Sequence, residues 1–302
     1  MRYARQIRYE IPEEMWGHKI SEFLHGKGFS NQNLTKLKKI NHSIDINGRW
    51  EYMGYRLQKG DVLQVLIVEE ESSKKIPPVK LPLEVVYEDE DILVVNKPAH
   101  MPIHPSMKHY ENTLGNAVAY YFMEQNKPCI YRCINRLDKD TSGLTILAKH
   151  FVAASMLYDQ MVAREIKRTY YAITDGEVPE EEGTINAPIG REGDSVVVRA
   201  VDYEKGDEAI THYRVLGRGG GLSLVECHLD TGRTHQIRVH MKHLGYPLIG
   251  DFLYHPENHT MDRQALHAGK LSFRQPVTGE ELSFSVAFPQ DMDRICQEFG
   301  LK

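Results

Sequence analysis

Ile134-Asn135-Arg136-Leu137-Asp138-Lys139-Asp140-Thr141-Ser142-Gly143 leads directly into Leu144-Thr145-Ile146-Leu147-Ala148. The first ten residues are polar and rich in turn formers, and the apolar run behind them has the length and β-branching of a strand. A loop feeding a strand in this way presents its polar groups at a sheet edge. Asp138 and Asp140 stand two residues apart and alternate with Arg136 and Lys139. Neighbouring cations favour the ionised form of a carboxylate, which suits a nucleophile better than a general acid. On spacing alone, an ordinary structural ion pair is the better account of the same pattern.

A second polar stretch lies a hundred residues downstream, Leu229-Asp230-Thr231-Gly232-Arg233-Thr234-His235-Gln236-Ile237-Arg238-Val239-His240-Met241-Lys242-His243-Leu244-Gly245. At helical spacing Ile237, Met241 and Leu244 share a core face, while His235, Arg238 and Lys242 fall on another and offer cations to an anion. A solvated basic face with a partly buried arginine is the bland alternative. His235, His240 and His243 also raise metal-assisted hydrolysis, but no H-E-x-x-H is present and the nearest carboxylate at ligand spacing is Asp251, so no metal is expected. In Glu165-Ile166-Lys167-Arg168-Thr169-Tyr170-Tyr171-Ala172 a basic helix end runs into a strand. Strand alternation sends one tyrosine ring inward and the other outward, where it can stack on a base.

Around these stretches short strands recur at Leu83–Tyr87, Ile92–Asn96, Leu144–Ala148, Tyr170–Thr174, Val196–Val201, Thr211–Leu216, Leu222–Leu229 and Leu282–Phe288. Helical periodicity appears at about 114–123, 151–164, 234–244 and 290–299. Helices and strands mix without strict alternation, which predicts an α+β domain on a mixed, mainly antiparallel sheet. Residues 1–68 read as a small unit with helices around Trp16–Lys27 and Asn31–Lys39, the second capped at Ser30, and strands at Ser43–Asn47 and Val62–Val68. Charged and proline-broken residues 69–82 read as a linker, leaving 83–302 as the main domain.

The 302 residues carry a net charge of −5, unusual for a partner of polyanions, but basic residues gather at 1–80, 132–168 and 210–243 while acid clusters at Glu84–Asp91 and Glu177–Glu182. No segment is apolar enough to span a membrane and no signal-like run follows Met1, so a cytoplasmic location is expected. The four cysteines read as reduced structural thiols. Without G-x-G-x-x-G or G-x4-G-K-[ST], a nucleotide cofactor has no support.

Taken together, these stretches resemble the RluA-type family of RNA pseudouridine synthases over roughly residues 81–290. Asn135 to Gly143 is similar to the family's H-R-L-D-x-x-T-S-G, whose aspartate is catalytic, so the resemblance implies that role for Asp138. Ile92 to Pro98 with Pro102-Ile103-His104-Pro105 is similar to its N-K-P segment. Arg168-Thr169-Tyr170-Tyr171-Ala172 looks like its [KR]-x-Y-x-A strand, which makes Tyr170 the active-site tyrosine, stacking on the uracil. Thr231 to His240, with Gly245-Tyr246-Pro247 and Gly250-Asp251, matches a further block whose second arginine, Arg238, pairs with the catalytic aspartate.

Asn135 departs from the usual histidine. Residues 15–68 resemble, more weakly, the small S4-type RNA-binding domain, in which Lys36, Lys38 and Lys39 would meet RNA, and Arg136 is a further candidate RNA contact. The resemblance implies a pseudouridine-synthase fold behind an S4-like domain. It also implies a monomer acting on structured RNA without cofactor or membrane. Large-subunit ribosomal RNA is the expected substrate, tRNA or several RNAs the alternatives, and a non-catalytic RNA-binding protein the rival from another class.

Overall fold

The apolar run after the Asp138 loop becomes the hub of the largest sheet. The computed structural model describes residues 2–107 and 109–301. At the N-terminus β1 (Tyr3–Glu10), α1 (Ile20–Gly26), α2 (Asn31–Leu37), β2 (Ile44–Ile46), β3 (Arg49–Trp50) and β4 (Val62–Glu69) form a small unit whose sheet has the order β1-β4-β2-β3, all antiparallel. The main domain follows with β5 (Glu84–Glu88), β6 (Ile92–Lys97), α3 (Leu114–Glu124), β7 (Ser142–Ala148), α4 (Phe151–Val162) and β8 (Lys167–Asp175). Next come β9 (Glu182–Asn186), β10 (Ile189–Arg191), β11 (Arg199–Val201), β12 (Ile210–Gly219), β13 (Leu222–Leu229) and α5 (Gln236–His243). The chain closes with β14 (Leu266–Arg274), β15 (Glu281–Ser285) and α6 (Gln290–Glu298). No helix among the described residues is long and apolar enough to cross a membrane.

Nine strands make one sheet in the order β5-β6-β7-β14-β8-β13-β12-β9, with β15 on the remaining part of one β14 edge. Every pairing is antiparallel except β7 with β14. The expected α+β class with a mainly antiparallel sheet is what forms. All seven residues of β7 are buried, because both faces are covered. Leu93, Val95 and Leu147 pack with α3 and α5 on one face, whereas Ile92, Val94, Leu144 and Ile146 pack with α4 on the other. A strand covered on both sides reads as a continuous apolar run rather than an alternating one, which is why it was recognisable in the sequence.

The same covering corrects the expectation for the tyrosine pair. Tyr170 and Tyr171 do point to opposite faces, but both are buried: Tyr170 in the core under α3 and α5, Tyr171 in the one under α6. Five strands were not anticipated, namely β1, β3, β9, β10 and β14. Of these, β14 (Leu-His-Ala-Gly-Lys-Leu-Ser-Phe-Arg) mixes histidine, glycine and lysine into its apolar pattern. Only the sheet context makes it a strand.

The small unit is not detached. Its core runs on into Phe151, Val152 and Met156 of α4. Ser30 caps α2 as anticipated, its Oγ accepting from the Asn33 N–H at 3.2 Å while the Asn33 side chain accepts from the Ser30 N–H. Asn33 also donates to the Phe151 carbonyl. Residues 70–83 contain no helix or strand but are tied down, since Ser73 bonds to the Cys129 carbonyl and the Tyr131 N–H, and Val79 to the Asn116 carbonyl.

Candidate active site

The Asp138 loop is fixed from several sides before any ligand is considered. Asn135 is buried, and its side-chain amide donates to the Leu144 carbonyl at 3.0 Å and accepts from the Ile146 N–H at 2.8 Å. It thereby continues the edge that Ile134 and Arg132 form with Ile146 and Ala148. On the other side Lys97, fully buried at the end of β6, donates to the carbonyls of Pro98, Met101 and Lys139 at 2.8, 2.9 and 3.0 Å. Three N–H donors meet three acceptors. Burial pushes the Lys97 ammonium down to about 7, with Asp140 and Asp138 acting against that shift. Arg263 reaches the Asp140 carbonyl from below at 3.1 Å, and His100 meets the Asp140 carboxylate at 2.8 Å.

Thus held, Asp138 stands at the mouth of the loop with its side chain 26 % exposed. The cation facing it is not one of its sequence neighbours. Arg136 and Lys139 turn outward and are exposed. Arg238, a hundred residues away on α5 and 3 % exposed, donates through Nη1 to Asp138 Oδ2 at 3.2 Å. The other side of the same guanidinium grips Asp251 in a two-bonded fork, with Nε and Nη2 each at 2.7 Å. Burial alone would lower the Arg238 pKa, but hydrogen bonding and charge from Asp251, then Asp138, raise it instead. Asp251 is fully buried and also accepts from the N–H groups of Leu253 and Tyr254. One arginine between two carboxylates is balanced by the buried one, so Asp138 is oriented yet keeps oxygen capacity for something else.

The remaining wall is aromatic and imidazole. His235 adopts a left-handed backbone (φ 59°) ahead of α5, which places Nδ1 2.8 Å from the Tyr254 hydroxyl and Nε2 3.9 Å from Asp138. Burial, assisted by Arg238, pushes the His235 imidazole down despite the opposing charge of Asp138. Tyr254 lies beneath the Arg238 guanidinium at 4.9 Å, a cation–π contact that fixes its plane.

Among the residues singled out from sequence, Asp138 and Arg238 are brought together. Tyr170 lies in the same core as Leu137 and Ile237, the neighbours of those two residues in the chain. Arg136 is exposed near His104, whose pKa it lowers together with burial. Lys36, Lys38 and Lys39 are exposed on α2 and just beyond it, in the small unit, and Lys36 rests on the Phe151 ring at 4.9 Å.

Arg238 also corrects the notion of a cationic solvent face on α5, since only Lys242 and His243 are exposed there. The three histidines weighed as a metal set part company: His235 faces Tyr254, His240 is buried between Thr211 and the Ala187 carbonyl, and His243 faces solvent. Sequence reasoning missed Asp251 as the partner of Arg238, and it missed Lys97, Tyr254 and Arg263. The signal for Asp251 was available, because an arginine on a core-facing turn requires an acid.

A profile of the RNA pseudouridylate synthase family matches residues 91–243, which include both Asp138 and Arg238. The uncharacterised RNA pseudouridine synthase YjbO of Bacillus subtilis is 38 % identical over 276 residues, 91 % of this chain and 97 % of that one. Ribosomal large subunit pseudouridine synthase D of Zymomonas mobilis is 41 % identical over 71 % of this chain and 72 % of its own. Among solved structures, human RNA pseudouridylate synthase domain containing 1 superposes with a TM-score of 0.59 at 26 % identity, over 78 % of this chain and 98 % of that one.

Proposed function

Because the chain belongs to the RNA pseudouridylate synthase family, we propose that it isomerises particular uridines of large-subunit ribosomal RNA to pseudouridine, with Asp138 as the catalytic carboxylate. The observation that carries this is the pairing of Asp138 with an Arg238 already neutralised by Asp251. It leaves one oriented, partly open carboxylate in a loop otherwise locked by buried contacts.

In the reaction the N1–C1′ bond breaks, the uracil turns, C5 bonds to C1′, and the proton on C5 leaves as N1 gains one. Atoms and electrons balance without a redox partner or nucleotide, so the reaction calls for no cofactor. Asp138 answers the electron deficiency that develops on the substrate when the glycosidic bond opens. Arg238 holds that carboxylate in place, and Tyr170, packed in the core with Leu137 and Ile237 directly behind the pair, would meet the uracil only as the floor of the site and not as an outward-facing ring. A paired uridine must first leave its stack, at a cost of roughly a few kcal/mol. Arg136, exposed on the rim, and Lys36, Lys38 and Lys39 in the small unit supply cations to the phosphates.

Residues 1–68 then serve as an S4-like RNA-binding unit, 69–82 as its tether and 83–302 as the catalytic domain. The substrate assignment is supported by the relative named for the large ribosomal subunit. Mapping pseudouridine in total RNA from cells with and without the gene tests it. One or a few large-subunit sites should revert to uridine when the gene is removed. Losses confined to tRNA would contradict the substrate, and an unchanged map would contradict isomerisation.

A further inference from the structure

The small unit carries a cleft that the chemistry at Asp138 does not use. It opens between the end of α2 and the turn around β3, encloses about 620 Å³, and is floored by buried Ile44 and Met53. On its walls Trp50 and Tyr52 are 43 % and 68 % exposed, with ring centroids 4.3 Å apart in an edge-to-face pair, and His42 packs edge-on to Trp50 at 6.1 Å. Lys38 and Lys39 line the same cleft, and neither has an ion-pair partner among the described residues. Lysines after a helix C-terminus are explained by the helix dipole alone. Large aromatic faces left in water beside them are not, because they bury nothing in the core.

We propose that this cleft takes an unpaired base of RNA, stacked on Trp50 and bordered by Tyr52, whose ring is tilted 63° to it, with the flanking phosphates on Lys38 and Lys39. A π-face accepts any base, and adjacent cations follow the backbone, which is the chemistry of sequence-tolerant single-strand binding. The volume lies within the range of small-ligand pockets. Glu51 also lines the cleft, so the site favours a base inserted edgewise over a phosphate lodged inside.

Its position gives the contact a meaning. β6 and β7 run antiparallel with Lys97 opposite Gly143 at the Asp138 end and Ile92 opposite Ala148 at the other. The small unit docks at that other end, on Phe151 and Asp91. The two ends are roughly 17 Å apart along the strand at 3.4 Å per residue. The cleft therefore grips RNA outside the target loop, which extends the substrate reading above and rests on it only for the identity of the natural RNA.

The test titrates the full chain with a ten-nucleotide oligoadenylate, which holds no uridine for the catalytic centre. Trp16 and Trp50 are the two tryptophans. Stacking should quench wild-type emission, and Trp50→Phe should lose that quench while the RNA still binds. Tyr52→Ala and the Lys38→Glu/Lys39→Glu pair should each weaken binding by about ten-fold or more. Tyr52→Ala should leave turnover of a minimal stem-loop unchanged and raise KM on a longer ribosomal fragment. Bound oligonucleotide with unaltered Trp50 emission, undiminished affinity in Tyr52→Ala, or no binding at all would overturn the cleft. A quench that persists in a chain unable to isomerise uridine in any RNA would instead sink the catalytic assignment and leave the cleft standing.

Discussion

Arg238 is shared unequally between two carboxylates, and that inequality sets what each does. Two short, parallel bonds to fully buried Asp251 settle the guanidinium, and a single longer bond at 3.2 Å orients Asp138. Removing the buried partner strands a cation in the core. Asp251→Asn should therefore cost about 3–5 kcal/mol of stability and depress turnover as the Arg238 fork tilts, which urea unfolding and tritium release from 5-tritiated uridine in RNA would measure. Unchanged stability would mean that Asp251 is dispensable to the guanidinium.

The compact, charged loop around Asp138 stood out in the sequence, but its spacing alone favoured a structural ion pair, and only the family resemblance singled out Asp138. Its cation was misplaced onto Arg136 and Lys139 when read by adjacency, since chain proximity says nothing about which way a side chain turns. The family resemblance, not the spacing, pointed to Arg238. Lys97 was quoted within a motif but given no task, because its three carbonyl partners come from two loops that meet only in the fold.

Between elements, the critical meeting is β7 with β14. Gly143 (φ +119°) lies so close to β14 that an added Cβ would come within 2.3 Å of the Ala268 carbonyl oxygen. Gly143→Ala should cost more than about 3 kcal/mol, overpacking and backbone strain acting together, and thermal melting followed by circular dichroism would register it. A variant melting like wild type would show that the two strands can part without consequence.

Asn135 works at the same scale by extending the β7 edge. Asn135→Ala leaves a buried carbonyl and a buried N–H unpaired, a loss of roughly 2–4 kcal/mol. Asn135→His, which retains one donor and one acceptor, should cost less, and equal losses in the two would contradict the clamp. β14 escaped prediction for a physical reason: its His267, Gly269 and Lys270 are poor strand formers that tertiary pairing overrides. β1 escaped because only Ile7 among its eight residues is buried and another inward position is Arg5, so the alternation of burial has no matching alternation of apolar residues.

Across the whole molecule, buried carboxylates join the two units, Glu69 of β4 through Arg132 and Asp91 through Arg5. Asp91 accepts from Arg5 of β1 at 2.8 Å, from His150 at 2.8 Å and from Gln275 at 2.7 Å. The His150 Nδ1 accepts from the Ala153 N–H, so the proton on Nε2 points at Asp91. Burial by itself raises the Asp91 pKa, but the bonds from His150, Arg5 and Gln275 prevail and hold it well below the usual carboxylate range. A folded pKa below the unfolded value of about 3.9 contributes stability that is complete above that value and is lost as pH falls toward the folded one. Wild-type melting temperature should therefore drop below about pH 4, and Asp91→Asn should start lower at neutral pH and fall less steeply. Parallel curves would show that the join does not rest on this charge. The change of composition at residues 69–82 is visible in the sequence, whereas the contact between Arg5 and Asp91 is not, since the two are 86 residues apart.

The most direct measurement compares wild type with Asp138→Asn for tritium release from RNA carrying 5-tritiated uridine, alongside RNA affinity. The substitution keeps the size of the side chain and its contact with Arg238 while removing the negative charge. Release should vanish and RNA should bind as before. Equal release from the two proteins would contradict the assignment of the chemistry to this carboxylate.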